Sequence, residues 1–214
     1  MSVLDLRKEF KHLYAPRAGI IETITVPRLG FATIEGAIEK GRGAGDSPSF
    51  AEANEALYSL AFTLKFMMKK RVEDSVDFPV MTLEGLWWVE NGIFDPAVKD
   101  NWLFRLMIMM PPAVTEADFA EGVEELRKKQ GDSEILSRLS LQTFEEGLCV
   151  QALHIGPYSA EAETIKAMRE FMAKSGLVDR VGPAGKHHEV YLGDPRRTDP
   201  AKLKTILRHP VAQA

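Results

Sequence analysis

The sequence predicts an α+β domain of two βαββ modules related by a pseudo-twofold axis, with an antiparallel sheet and the main helices on one face. Three observations carry this. The order strand, helix, strand, strand occurs twice, over about residues 20–112 and again over about 140–211, and each unit ends on a proline, Pro111 and Pro210. One constant shift aligns LKFMMK from Leu64 with REFMAK from Arg169, and the same shift sets Glu84 opposite Glu189 as symmetry mates. Finally, 214 residues with 45% apolar content suit one continuous core, so residues 1–214 are expected to form a single domain.

The elements follow in order. Leu6, Phe10 and Leu13 recur at i, i+4 and i+7 and predict an amphipathic helix ending before Pro16. Ile20 to Gly36 is rich in Ile, Thr, Val and Phe and reads as extended chain broken at Pro27 and Gly30. After a glycine-rich loop, Ala37 to Ser49, the spacing of Ser49 and Glu52 suggests a capping box. The helix it opens keeps Ala53, Leu57, Leu60, Ala61, Leu64 and Met68 on one face. Strands are predicted at Phe78 to Val89 and Trp102 to Met110. Thr115 and Asp118 cap a connecting helix that stops at Gly131. The second unit places a strand at Leu148 to Gly156, a helix from Ser159 to a stop at Gly176, and strands at His187 to Gly193 and Leu203 to His209.

Composition narrows the function. The 27 basic and 31 acidic residues are interspersed, so no field of one sign is available to collect phosphates, and no nucleic-acid partner is expected. Cys149 is the only cysteine, which excludes a disulfide framework and a cysteine metal cage and fits the cytoplasm. The N-terminus has no apolar signal region, and the longest apolar run, Leu106 to Val114, is cut by Pro111 and Pro112, so neither secretion nor a membrane partner is expected.

The unusual strands are LEGLWWVE and HHEVYLGDP, which set acids beside aromatics. Residues two apart in a strand share a face, so Glu189 and Tyr191 project together, with Val190 and Leu192 on the other side toward the helices. Glu84 shares its face with Trp88 and not with Trp87, and period alone favours Trp88 as its pocket partner. The bland alternative is that both tryptophans are core and both glutamates solvated. Only His187 and Glu189 of the HHE run share a face, short of the three or four ligands a metal needs, so no metal and no cofactor are expected. His154 reads as a structural histidine. The glycines of GRGAG match no phosphate-binding loop, and no nucleophile elbow is present.

The stretches LYSLAFTLKFMMKK, MTLEGLWW, GLCVQALHIGPYSAEAETI and HEVYLGDPRRTDPAKLKTILRHPV together resemble the GyrI-like family of small-molecule-binding domains. The similarity runs from about Leu4 to Val211, with a longer and more glycine-rich loop at Ala37 to Ser49 than the family's short turn. Relatives include multidrug-binding effector domains, stand-alone multidrug-binding proteins, and hydrolases that open the cyclopropane ring of DNA-alkylating natural products. The resemblance implies a pocket between the modules, walled by aromatics and centred on a glutamate. Glu189 matches that acid and Tyr191 its strand neighbour. Glu84, Trp87 and Trp88 match the acidic-aromatic strand of the first half, and Tyr58 a recurrent helix tyrosine.

Two functions follow as expectations: binding of lipophilic, planar or cationic small molecules, or hydrolysis of a strained ring with Glu189 as base and Tyr191 as hydrogen-bond donor. A third, a surface-acting adaptor, rests on the family name rather than on these residues.

Overall fold

The computed structural model describes residues 3–92, 94–95, 98, 101–182 and 184–214. In chain order the elements are α1 (Leu6–Glu9), α2 (Lys11–Tyr14), β1 (Ile21–Val26), β2 (Leu29–Ala37), α3 (Pro48–Lys70), β3 (Leu83–Trp88) and β4 (Leu103–Met109). There follow α4 (Glu116–Gln130), α5 (Glu134–Ser137), β5 (Ser140–Phe144), β6 (Gly147–Ile155), α6 (Glu161–Lys174), β7 (Leu177–Asp179), β8 (His187–Tyr191) and β9 (Lys204–Gln213).

Among the described residues the nine strands form one antiparallel sheet in the order β1-β6-β9-β8-β3-β4-β2-β5, with β7 added beside β9. The α+β class is therefore what the sequence predicts. At the centre of the sheet β8 pairs with β3, with β4 and β2 beyond β3 and β9 and β6 beyond β8; at the edges β1 pairs with β6 and β5 with β2, so each half lends an outer strand to the other.

The register corrects one detail of the predicted symmetry. Glu84 lies opposite Val190 and Gly85 opposite Glu189. An axis perpendicular to an antiparallel ladder relates directly opposed residues, which share a face. Glu84 and Glu189 lie on opposite faces, so no such axis relates them.

The α3 helix forms where its apolar spacing predicts, but its cap is Ser47, whose side chain accepts from the Phe50 N–H, with Pro48 in the first turn. Ser49 instead donates to the Ala37 carbonyl, closing the glycine-rich loop. Burial of Leu57, Leu60, Leu64 and Met68 contributes roughly 1.5–3 kcal/mol per side chain. The predicted capping box at Thr115 and Asp118 is present in α4, and Gly131, at φ 85°, ends that helix. Three differences remain. The N-terminal helix is two short turns, α1 and α2, rather than one helix. The strands β5 and β7 escape the pattern because they are short and only partly buried. Pro210 does not end its strand: it lies within β9 opposite Cys149, and its carbonyl accepts from the Arg180 N–H.

Both long module helices cover one face. Phe50 of α3 stacks on Trp87 and meets Phe104 edge-on, while Ile165, Met168 and Met172 of α6 pack with Val150, Ala152 and Leu207. The other face receives the N-terminal segment, tied down where Arg208 donates to the Leu13 carbonyl and Gln151 to the His12 carbonyl. Among the described residues no helix is long and apolar enough to cross a membrane.

Candidate functional site

The junction of β3 and β8 sends alternate side chains to two different environments. Trp87, His187, Glu189 and Tyr191 point to the face covered by α3 and α6. This corrects the expectation that Glu189 and Tyr191 look away from the helices. Leu207, directly opposite Glu189, belongs to the apolar row on which α6 packs, and that row decides which face is covered.

On this face the Trp87 Nε1–H donates to the Tyr191 hydroxyl at 2.9 Å. Gly85 makes the contact possible, because a Cβ there would stand 2.9 Å from Trp87 Nε1 and 3.0 Å from the Tyr191 oxygen. Tyr191 is in turn hydrogen-bonded to Glu189. His187 Nε2 lies 3.1 Å from Glu189 Oε1, His187 Nδ1 lies 2.8 Å from His209 Nε2, and His209 Nδ1 lies 3.0 Å from Asp179 Oδ2. The first residue of α6 adds a second acid, Glu161, only 1% exposed, and its Oε1 has no hydrogen-bond partner among the described residues. One ligand atom each from Glu161, His187 and Glu189 lies within 4.8 Å of the others.

Burial first and the charge of Glu189 second push the Glu161 carboxyl far above the ordinary carboxylate range, leaving it a protonated acid near neutrality. Burial and then Glu189 likewise raise the Tyr158 phenol to about 12 and drive Tyr191 well above its usual value. Burial holds His209 below the ordinary imidazole value, only partly offset by its bond to Asp179. The site thus sets a carboxyl group with a strongly raised pKa, Glu161, near Glu189 and two neutral phenols.

Glu84 and Trp88 lie on the opposite face, so the structure does not bring them together with Glu189. Glu84 accepts from the Tyr14 hydroxyl at 2.5 Å and from His188 Nε2 at 3.0 Å. His188 Nδ1 contacts Glu146 at 2.9 Å, and Arg208 Nη1 lies 3.7 Å from the same carboxylate. Burial opposes charge on His188, but Glu146 and Glu84 outweigh it and lift its pKa to about 9. A histidine between two carboxylates must donate from both nitrogens, and this network is a structural one. Trp88 instead carries Lys186 Nζ 4.0 Å above its ring, beside a cavity of about 350 Å³. A larger cavity, about 610 Å³, lies along the N-terminal segment from Glu9 to Glu22.

Neither cavity reaches Glu189, which is 7% exposed. Phe94 stacks on two residues of this face, its ring 6.2 Å from Trp87 and 5.3 Å from His187, tilted 27° and 18° to them. Tyr158 stands edge-on to Tyr191 at 5.9 Å and is 37% exposed, so it forms the outer wall. Tyr58 lies on α3 with its ring against Phe62 and its hydroxyl near the Leu83 backbone, at the start of β3. Sequence reasoning missed Glu161, Tyr158 and Phe94, because each reaches the cluster from another element; Tyr158 and Glu161 lie in the GLCVQALHIGPYSAEAETI stretch, but strand periodicity does not extend to them. His154 is structural as expected, donating from Nε2 to the Pro157 carbonyl and accepting at Nδ1 from Thr164.

Buried acids under aromatic rings, at the seam of a sheet roofed by two helices, define a small-molecule-binding domain of the α+β class. Residues 111–212 match the model of the GyrI-like small molecule binding domain. An uncharacterized conserved protein from Listeria innocua is 41% identical, with 99% of this chain and 100% of that one covered and a TM-score of 0.87. A hydrolase from Listeria innocua is 38% identical over the same shares, with a TM-score of 0.83. The C-terminal domain of EcmrR, 10% identical with a TM-score of 0.53 over 91% of this chain and 98% of that one, shares the fold alone. No curated protein matches the chain. The chain belongs to the GyrI-like small-molecule-binding family.

Proposed function

We propose that the chain is a single domain whose two modules meet at β3 and β8, and that it binds planar, lipophilic and preferentially cationic molecules over Glu189. One observation carries this: Phe94 lies near-parallel to both Trp87 and His187, and His187 is the residue that bonds Glu189. A flat ligand displacing Phe94 inherits both ring contacts, and a positive charge on it meets a carboxylate in a dry environment. Phe94 thus acts as a built-in occupant that must leave for the ligand to enter.

The test is titration with an aromatic cation, such as a rhodamine-type dye, followed by tryptophan fluorescence. Phe94→Ala is expected to tighten binding about tenfold, since the ligand no longer competes with the side chain. Glu189→Gln is expected to weaken cations far more than neutral ligands of the same shape. Absence of saturable binding by wild type and Phe94→Ala alike counts against the proposal.

Hydrolysis of a strained electrophilic ring is the second reading, favoured by the raised Glu161 carboxyl in the same cluster as Glu189 and by the hydrolase description of the Listeria relative. Glu189 takes a proton from the attacking water as the oxygen–carbon bond forms. The Glu161 carboxyl gives a proton to the oxygen that takes up the electron pair of the breaking ring bond. Incubation with a cyclopropane-bearing alkylator and mass detection of a product one water heavier tests it. Glu189→Gln is expected to cut such turnover by roughly 10²- to 10⁴-fold with affinity nearly unchanged.

A further inference from the structure

We propose that Glu161, His187 and Glu189 form a binding site for one divalent transition-metal ion, with His209 and Asp179 as the residues that orient the histidine ligand.

The convergence of three buried ligand atoms within 4.8 Å, with a buried Glu161 oxygen among them lacking a partner among the described residues, points to this, and the chain Glu189–His187–His209–Asp179 supports it. Asp179 accepts the Val181 N–H at Oδ1 and faces Arg169 Nε at 3.5 Å, so it is held as an acceptor. His209 Nδ1 must therefore donate to it. Neutral His209 then presents a bare Nε2, and His187 must donate to that nitrogen from Nδ1. His187 Nε2 in turn faces Glu189 Oε1 at 3.1 Å, so its Nδ1 is engaged by His209 while its Nε2 is turned into the acid cluster. The unpartnered Glu161 Oε1, itself buried, belongs to the same cluster. A cation between the three side chains gives the unpartnered Glu161 oxygen a partner and binds His187 and Glu189 at the same time.

The donor set fits the chemistry. One imidazole and two carboxylates suit zinc, with manganese and cobalt as alternatives, and three protein ligands leave a position open. Two ligand atoms on a tetrahedral zinc lie about 3.3 Å apart. The His187–Glu189 pair is close to that separation, and Glu161 needs to turn inward by no more than about 1.5 Å. A ligating histidine usually donates its other ring N–H to an acceptor that fixes its orientation, which is the role of His209 backed by Asp179. The ion takes the same carboxylates as the organic cation of the proposed function, so the two exclude each other.

Zinc titration of the full chain, freed of metal by chelator and dialysed, is expected to show one site per chain. Glu161→Gln is expected to weaken it by 100-fold or more and Asp179→Asn by roughly 10- to 100-fold, while Mg²⁺ at equal concentration does not compete. In the unmodified protein, Co²⁺ is expected to give the intense visible absorption of four- or five-coordination, lost on adding Zn²⁺. A six-coordinate Co²⁺ spectrum, or zinc affinity unchanged in folded Glu161→Gln, overturns the site. Because no organic ligand is present, a negative result here leaves dye binding by the metal-free chain as a separate question.

Discussion

His187 and His188 are neighbours in one strand, yet they end in opposite kinds of environment. His188 faces the side closed by the N-terminal segment, where Glu84, Glu146, Arg208 and Tyr14 surround it and nearly every donor meets an acceptor; Arg208 Nε is the exception. His187 faces the side roofed by α3 and α6, where two carboxyl groups crowd together and a buried oxygen is left over. The first arrangement holds the domain together and the second is poised to meet something from outside. Burial and residue type are alike on the two faces, so the contrast lies in how completely the polar groups are satisfied.

Breaking the satisfied side should have the largest effect. Glu146→Ala leaves His188 and Arg208 buried without their shared carboxylate and is expected to cost about 3–5 kcal/mol in urea unfolding. A loss under about 1 kcal/mol would remove the structural role from this network.

The unsatisfied side should respond in the opposite sense. Glu161 has a raised folded-state pKa, so its contribution is present below the ordinary glutamate value and lost as pH rises through the shifted one. Near neutrality it is already a cost. Glu161→Gln is therefore expected to stabilise the metal-free protein by roughly 1–3 kcal/mol at pH 7–8. Unfolding of both proteins at pH 4.5 is the control, where the gain should shrink toward zero.

The pH dependence of wild type separates the faces further. His188 is raised from 6.5 to about 9, so its stabilisation is complete below 6.5 and declines as pH climbs toward 9. Stability is expected to fall across that window. A curve flat between pH 6.5 and 9 would mean that His188 is not held charged by its two acids.

The two tryptophans give the smallest and sharpest contrast. Trp87→Phe is expected to abolish the fluorescence response to an aromatic ligand, whereas Trp88→Phe should keep it and change stability by about 0.5 kcal/mol or less. A response that follows Trp88 instead moves the binding site to the opposite face.

The sequence by itself determined the α+β class, the long helix from its apolar spacing, the Thr115–Asp118 capping box and the pairing of Glu189 with Tyr191 on one face. These depend on spacings of two to four residues, which backbone geometry converts directly into direction. Tertiary structure decided which face of the sheet the helices cover, and so whether Glu84 or Glu189 meets them. It also decided that Glu161 and Phe94 join Glu189, and that His209 and Asp179 back His187, although these residues are far apart along the chain. Strand periodicity fixes that neighbours diverge, but only the packing of whole helices on the Val150, Ala152 and Leu207 row determines which direction is inside.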